Sequence, residues 1–286
     1  MNQSAGKTFS NNSPMLEVRG LSVSYGEKQA LKALDFSIQE GEWWILAGPN
    51  GSGKTTLVNA VTRGVPSTGT IRWRGKNLRN MNSREMAGHI GVLAQNRSVD
   101  VSFSVGEVVQ MGCYAHSTGW FGKLFRNDRG NKESSRQGRS IPASCFSEER
   151  AMEDALKAVG LSEMADRSIL ELSGGELQRV FLAQVFAQDP ELLILDEPAN
   201  HLDLVYQKQI FELLAEWIRT PGRAILTVVH DLSLALAFGQ KGILMSEGKA
   251  AASGDVREVL SRDHLQAVYG MDVHSWMRKM LGQWDE

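Results

Sequence analysis

One Gly-rich stretch constrains this chain more than any other part of its sequence. It consists of Gly48, Pro49, Asn50, Gly51, Ser52, Gly53, Lys54, Thr55 and Thr56. The stretch fits G-x-x-x-x-G-K-[ST], in which glycines let the backbone turn tightly and approach an anion. Apolar residues before it predict a buried strand and those after it a helix, which argues against an ordinary Gly-rich turn. We therefore predict a loop whose amides cradle a triphosphate, with Lys54 on the phosphates and Thr55 on Mg²⁺.

Polar residues follow two further predicted strands. Leu192 to Leu195 leads into Asp196 and Glu197, and Ala224 to Val229 leads into His230. Two carboxylates at the end of a buried strand are costly unless they meet a cation or perform chemistry, and ligands bind at the carboxyl ends of parallel strands. A solvated strand end is the alternative for the acids, and a structural role is the alternative for the histidine. We interpret all three as candidate site residues.

A second Gly-containing stretch opens a predicted helix. Ser173 and Glu176 fit a capping box, and a cap of this kind is worth about 1 kcal/mol. The capping box does not explain Gly174 and Gly175, which lie between them. Two glycines leave backbone N–H groups uncovered at a helix N-terminus, where anions bind. This helix start is therefore a second candidate anion contact.

Two single residues have open roles on the residues alone. Tyr25 ends the alternating strands that precede the loop and predict an antiparallel β layer. Its ring can stack on a base or cover the core. Gln95 follows the short apolar strand Ile90 to Ala94, where it can reach a metal ion or an attacking water, or remain a solvated polar residue.

Composition bounds the class of protein. The 286 residues are 42% hydrophobic, which suffices for one domain or one domain with a subdomain. The net charge of -2 gives no reason to expect nucleic acid as a partner, and the two cysteines lie far apart, which fits a reducing compartment. No apolar run reaches the roughly 18 residues that span a bilayer. We expect a cytoplasmic, soluble chain with a flexible polar tail at residues 1–14.

A basic insertion interrupts the pattern at about residues 117–147. Its basic side chains outnumber Asp128 and Glu133; they are Lys123, Arg126, Arg129, Lys132, Arg136 and Arg139. Contact with a phosphate or a lipid headgroup is one interpretation. An exposed, solvated loop is the interpretation that we prefer.

Taken together, these stretches resemble the nucleotide-binding subunit of an ABC transporter. The family's motifs occur in the same order, as the phosphate loop, Gln95, Leu172 to Glu176, Leu195 to Pro198, Asn200 to Asp203 and His230. The resemblance implies an α/β P-loop NTPase (ABC ATPase) core with an antiparallel β subdomain and a helical subdomain. This nucleotide-binding domain would span residues 15–255, with the helical subdomain at about 96–171. Residues 256–286, amphipathic up to Tyr269, would form a C-terminal helical extension.

The resemblance implies that the chain binds and hydrolyses ATP with Mg²⁺. Tyr25 would stack on adenine, and backbone groups of the loop together with Lys54 would hold the phosphates. Mg²⁺ would be held by Thr55, Gln95 and Asp196.

The resemblance also implies a reaction shared between two subunits. Glu197 would polarise the attacking water and His230 would contact the γ-phosphate. Each ATP would lie between the phosphate loop of one subunit and the helix start of the other, with Asp203 at the seam. That helix start comprises Ser173, Gly174, Gly175 and Glu176.

Residues 103–112, with Tyr114 and His116, look like the segment after Gln95 in importers of metal chelates such as iron–siderophore complexes, heme and cobalamin. Such a subunit would work with integral membrane permease subunits, at the cytoplasmic face of the membrane, and indirectly with an extracytoplasmic solute-binding protein. Zinc or manganese importers look similar here. A soluble ABC ATPase of iron–sulfur assembly or of the ribosome-acting type is the further alternative.

Overall fold

Strands make up the framework on which the phosphate loop sits. The computed structural model describes residues 13–94, 102–115, 143–200 and 202–284. Its strands are Leu16–Tyr25 (β1), Lys28–Ile38 (β2), Trp43–Ala47 (β3), Thr68–Trp73 (β4), Lys76–Asn77 (β5), Ile90–Leu93 (β6), Leu192–Asp196 (β7), Ala224–Val228 (β8), Lys241–Ser246 (β9) and Lys249–Asp255 (β10).

The strands form two sheets. A four-stranded antiparallel sheet has the order β2-β1-β4-β5, and a six-stranded sheet has the order β10-β9-β3-β8-β7-β6. In the second sheet β3, β6, β7, β8 and β9 are parallel, and β10 pairs antiparallel with β9. β3 and β7 therefore deliver the phosphate loop and the two acids to the same edge of the sheet, with β8 between them.

Helices cover the parallel sheet. They are Lys54–Val61 (α1), Ser83–His89 (α2), Val105–Gln110 (α3), Ala143–Ala158 (α4), Gly174–Ala187 (α5), Leu204–Trp217 (α6), Leu232–Phe238 (α7), Val256–Val259 (α8), Arg262–Tyr269 (α9) and Val273–Leu281 (α10). In the part of the chain that the structure describes, no helix combines the length and the apolar character that crossing a bilayer requires.

The central strand β3 is buried on both faces. Trp43 and Ile45 belong to one apolar core, in which the Trp43 ring stacks on Phe211 of α6 with ring centroids 5.9 Å apart. Trp44 and Leu46 belong to the other core, against α1 and the antiparallel sheet. Alternate side chains point to opposite faces of a strand, so one short apolar run serves two cores. This double burial holds the start of the phosphate loop in place.

The predicted fold class is confirmed, and two details differ from the expectation. The antiparallel sheet also includes β4 and β5, which follow the phosphate loop, so this layer is not built only from the strands before it. The amphipathic stretch up to Tyr269 forms two helices, α8 and α9, because the chain turns at Leu260 and Ser261. The predicted domain boundaries stay a prediction, and most of the basic insertion lies outside the described residues.

The turn between β9 and β10 connects the antiparallel sheet to the phosphate loop. The Gly248 amide donates to the Ser52 carbonyl at 2.9 Å, and the Gly248 carbonyl accepts from the Lys32 amide at 2.8 Å. Gly248 has φ +79°, and a Cβ atom there would lie 2.4 Å from the Ala30 carbonyl oxygen. Only glycine can therefore bring the turn this close to β2.

We expect Gly248→Ala to destabilise the fold more than a matched glycine substitution. Gly222 has φ +85° and open space around its Cβ position, so Gly222→Ala carries only the backbone cost of about 1–2 kcal/mol. Gly248→Ala adds a backbone clash that costs about 1–3 kcal/mol more. Urea unfolding of both variants measures the difference, and equal free energies of unfolding would contradict the tight fit at Gly248.

Candidate nucleotide-binding site

The phosphate loop leaves β3 through three glycines with positive φ. Gly48 has φ +142°, Gly51 +78° and Gly53 +107°. A Cβ atom at Gly48 would lie 2.3 Å from the Met245 carbonyl oxygen of β9, so the loop backbone runs directly against the neighbouring strand. α1 begins at Lys54, immediately after Gly53. The loop is thus a tight main-chain turn that ends at a helix N-terminus, as an anion-binding site requires.

Backbone carbonyl groups of the phosphate loop hold the Lys54 side chain over the loop. Its side-chain amine donates to the carbonyl oxygens of Gly48 at 2.8 Å and Pro49 at 3.1 Å, and only 6% of the residue is exposed. Burial lowers the pKa of Lys54, and the nearby carboxylates of Glu197 and Asp196 oppose that shift. The charged amine is therefore placed at the loop before any phosphate binds.

Asp196, the last residue of β7, carries a buried side-chain oxygen. The residue is 1% exposed, and its Oδ1 atom makes no hydrogen bond to any residue that the structure describes. Burial raises the pKa of Asp196, and a hydrogen bond with the Thr55 side chain opposes the shift. A buried carboxylate with a free oxygen beside a threonine hydroxyl is a donor set suited to Mg²⁺. The residues present therefore fit the predicted metal ion.

Glu197 adopts an unusual backbone conformation, with φ 56°. Its carboxylate contacts the Asn200 side-chain amide and lies 2.5 Å from Nε2 of His230. The glutamate is 8% exposed, whereas 45% of the His230 side chain is exposed. The carboxylate is therefore shielded while one of its neighbours faces solvent. Sequence reasoning missed the contact with Asn200, although the residue belongs to a recognised motif.

A cavity of about 1020 Å³ borders the phosphate loop and Glu197, although Asp196 is not among the residues that line it. Tyr25, which is 49% exposed, lines one part, and Glu197 and His230 line another together with the phosphate loop. Several lining residues were not predicted; they are Lys28, Gln29, Ala30, Lys32, Asn200, Glu247 and Gly248. Most of these come from β2 and the β9–β10 turn, and no local motif points to them.

Other predicted site residues do not line this cavity. Ser173 and Glu176 form the predicted capping box at the start of α5, and hydrogen bonds from Ser173 lower the pKa of Glu176. Gly174, at the first turn, has open space around it, and Gly175 follows it in α5. Asp203 caps α6 by accepting from the Tyr206 amide at 2.9 Å. Gln95 lies outside the described residues.

The arrangement matches a known family. The sequence profile of the ABC transporter family matches residues 31–200. The chain belongs to the ABC transporter family. It is an ATP-binding and ATP-hydrolysing subunit.

Three curated relatives of this ABC ATPase are named for import or transport. The iron(3+)-hydroxamate import ATP-binding protein FhuC of Bacillus subtilis is 34% identical, covering 90% of this chain and 88% of the relative. The ferric enterobactin transport ATP-binding protein FepC of Escherichia coli is 33% identical, covering 88% and 85%. The hemin import ATP-binding protein HmuV of Streptomyces coelicolor is 35% identical, covering 92% and 86%. The chain spans 54% of the length of another relative, the ABC transporter ATP-binding protein YvrA of B. subtilis, at 34% identity over 90% of this chain.

A solved structure of a metal-chelate type ABC transporter in an inward-facing conformation has the same fold. The TM-score is 0.67 at 23% identity, covering 91% of this chain and 90% of that chain. At this identity the likeness concerns the fold of the ABC ATPase.

We expect Asp196→Asn to stabilise the nucleotide-free protein while impairing hydrolysis. Because burial raises the pKa of Asp196, the parent gains stability as the pH falls toward that pKa, and the neutral amide removes this dependence. The variant should unfold at a higher temperature at pH 7, and ATP hydrolysis should fall at least about 10²-fold because a cation ligand is lost. Scanning calorimetry between pH 5 and pH 8 tests the first part.

Asp263→Asn, on the exposed face of α9, is the control for this experiment. If both variants unfold at the parental temperature and with the parental pH dependence, burial does not destabilise the Asp196 carboxylate. The assignment of Asp196 as a buried carboxylate with a raised pKa would then be wrong.

Proposed function

We propose that this chain is the ATPase subunit of a multi-subunit importer for metal chelates of the iron–siderophore, heme or cobalamin type. One observation carries the chemistry: a single cavity contains the phosphate loop, the buried Lys54, and Glu197 with His230. The solute class is supported by the relatives, of which two are named for import of iron(3+)-hydroxamate and hemin and one for transport of ferric enterobactin.

In the proposed reaction, Glu197 accepts the proton of a water molecule whose oxygen attacks the γ-phosphorus in line. The bond from the γ-phosphorus to the β-phosphate oxygen breaks, and ADP and inorganic phosphate leave. His230 orients this carboxylate through the 2.5 Å contact and reaches the γ-phosphate from its exposed side. Lys54 turns from the loop carbonyls to the β- and γ-phosphates, and Tyr25 stacks on adenine. Thr55 and Asp196, with Gln95, would hold Mg²⁺, which neutralises charge on the β- and γ-phosphates when bound.

The cavity is proposed to be half of a site. Gly174, in the first turn of α5, has open space around its Cβ position, yet neither it nor Gly175 lines the cavity of its own chain. In a head-to-tail dimer of two such subunits, Ser173 and these glycines would meet the ATP bound to the partner. Asp203, at the start of α6, would lie at the seam between the subunits.

The permease is proposed to dock beside α3. A groove of about 570 Å³ there is lined by Phe103, Met111 and charged or polar neighbours. Those neighbours are Arg84, Glu107, Gln110 and Glu148. Docking at this groove would hold the subunit on the cytoplasmic face of the membrane, and an extracytoplasmic binding protein would deliver the solute to the permease.

Co-purification tests this proposal. The tagged chain, expressed in its native host, should co-purify with an integral membrane subunit from detergent-solubilised membranes. A siderophore complex, heme or cobalamin, supplied with its binding protein, should stimulate the ATPase of that complex. A wholly soluble complex would contradict an importer, and stimulation by free zinc or manganese alone would contradict the chelate class.

Glu197→Gln should keep ATP binding and lose roughly 10²–10⁴ in turnover, because the amide cannot accept the proton. The unhydrolysed ATP should hold two subunits together, which size-exclusion chromatography with ATP and Mg²⁺ detects. Glu212→Gln, at an exposed position of α6, is the control. Parental turnover in Glu197→Gln would show that another group is the base.

Ser173→Arg should leave ATP binding by one subunit nearly intact and abolish hydrolysis, because the side chain blocks the shared site. Ser104→Arg is the matched control, since Ser104 also forms a capping box, at the start of α3. Both variants lose the stability of one cap. Without a permease only Ser173→Arg should lose activity, and parental hydrolysis by Ser173→Arg would rule out a shared site.

A further inference from the structure

The turn after β7 carries the proposed base in a strained conformation. Glu197 has φ 56°, a left-handed conformation that residues other than glycine rarely adopt unless surrounding contacts stabilise it. Its amide donates to the Val228 carbonyl at 3.2 Å, and its carbonyl accepts from the Asn200 amide at 3.1 Å. The direction of the Glu197 carboxylate therefore depends on what holds this turn.

Two glutamine side chains hold the turn from different helices. The Gln178 side-chain amide of α5 donates to the carbonyl oxygens of Glu197 at 3.4 Å and Pro198 at 3.5 Å. The Gln207 side-chain amide of α6 donates to the Ala199 carbonyl at 3.3 Å. The distances to Gln178 lie at the long end of hydrogen bonding, so a small shift of α5 changes them appreciably.

Gln178 stands on the helix whose start is proposed to contact the partner's ATP. It follows Gly174 by four positions and therefore shares its face of α5. The first turn of this helix would bind the phosphates of the partner's ATP, while its second turn contacts the backbone of Glu197, the proposed general base of the chain's own ATP site. The capping box at Ser173 fixes the first turn, so the two contacts belong to one rigid segment.

The next residue anchors the same turn of α5. Arg179 is 5% exposed, its guanidinium donates to the Val159 carbonyl at 3.1 Å, and it lies 3.8 Å from the Tyr206 ring centroid. Asp203 caps the amide of Tyr206, so this contact extends to the start of α6. A displacement of α5 therefore cannot be absorbed locally and reaches both the Glu197 turn and the proposed seam.

We propose that Gln178 is a positioning residue that couples the two ATP sites of the dimer. When Ser173 to Gly175 close on the ATP bound to the partner, α5 takes up a fixed position. The Gln178 side-chain amide then holds the carbonyls of Glu197 and Pro198 in the conformation that directs the Glu197 carboxylate at the attacking water of its own subunit. Each site thereby becomes fully competent only when the other is occupied. The inference rests on the shared site proposed above.

Gln178→Met tests this coupling, since the side chain keeps its length and loses both donors. We expect kcat to fall about three- to tenfold, ATP affinity of the single subunit to stay within about twofold, and the Hill coefficient of ATP hydrolysis to fall toward 1. Gln178→Asn, which keeps an amide but withdraws it by one methylene, should give a milder form of the same change. It also keeps the test valid if Gln178→Met does not fold.

Gln207→Met is the matched control, because it removes a single contact to the same turn from a helix that does not start at the partner's ATP. It should lower kcat without changing the Hill coefficient. Equal Hill coefficients in the parent, Gln178→Met and Gln207→Met, or a parental Hill coefficient of 1, would overturn the coupling. Ser173→Arg distinguishes failure of the shared site from failure of the coupling. If this variant hydrolyses ATP at the parental rate, the shared-site proposal is wrong. If it is inactive, the result for Gln178→Met tests the coupling alone.

Discussion

Three buried charges at one edge of the parallel sheet govern this structure. Lys54, Asp196 and Glu197 are each less than one-tenth exposed, although burying any one of them alone would be unfavourable. The attraction between the amine and the two carboxylates offsets part of that cost, because the carboxylates counteract the effect of burial on the pKa of Lys54. The charges can meet only if β3 and β7 run in the same direction on either side of β8. The electrostatics of the site and the topology of the sheet therefore require each other.

How far the site could be predicted depends on how local each contact is. The phosphate loop and the acids after β7 are marked by short patterns, because each depends on a strand that ends beside it. The contact between Asn200 and Glu197 depends instead on a left-handed glutamate, and a glutamate carries no signal of positive φ. The division between α8 and α9 was similarly hidden, since one amphipathic pattern covers both helices.

Long-range main-chain contacts set a second limit on prediction. Gly248 bonds Lys32 and Ser52, which come from β2 and the phosphate loop, and nothing in the sequence around any of the three indicates the other two. The cavity wall formed by β2 was missed for the same reason. Asp203 is the opposite case, since its capping of α6 accounts for the residue locally and leaves its role at a dimer seam to be tested.

The hydrogen bonds of Gly248 to Lys32 and Ser52 also fix a distance within the site. These hydrogen bonds join main-chain atoms only, and they tie the sheet that carries Tyr25 to the loop that carries Lys54. The backbone segments that carry Tyr25 and Lys54 are therefore held at a fixed separation, whatever side chains surround them. If Tyr25 holds the base and Lys54 the β- and γ-phosphates, as proposed, a nucleotide must match that span, and a nucleoside monophosphate would reach one end of it and not the other.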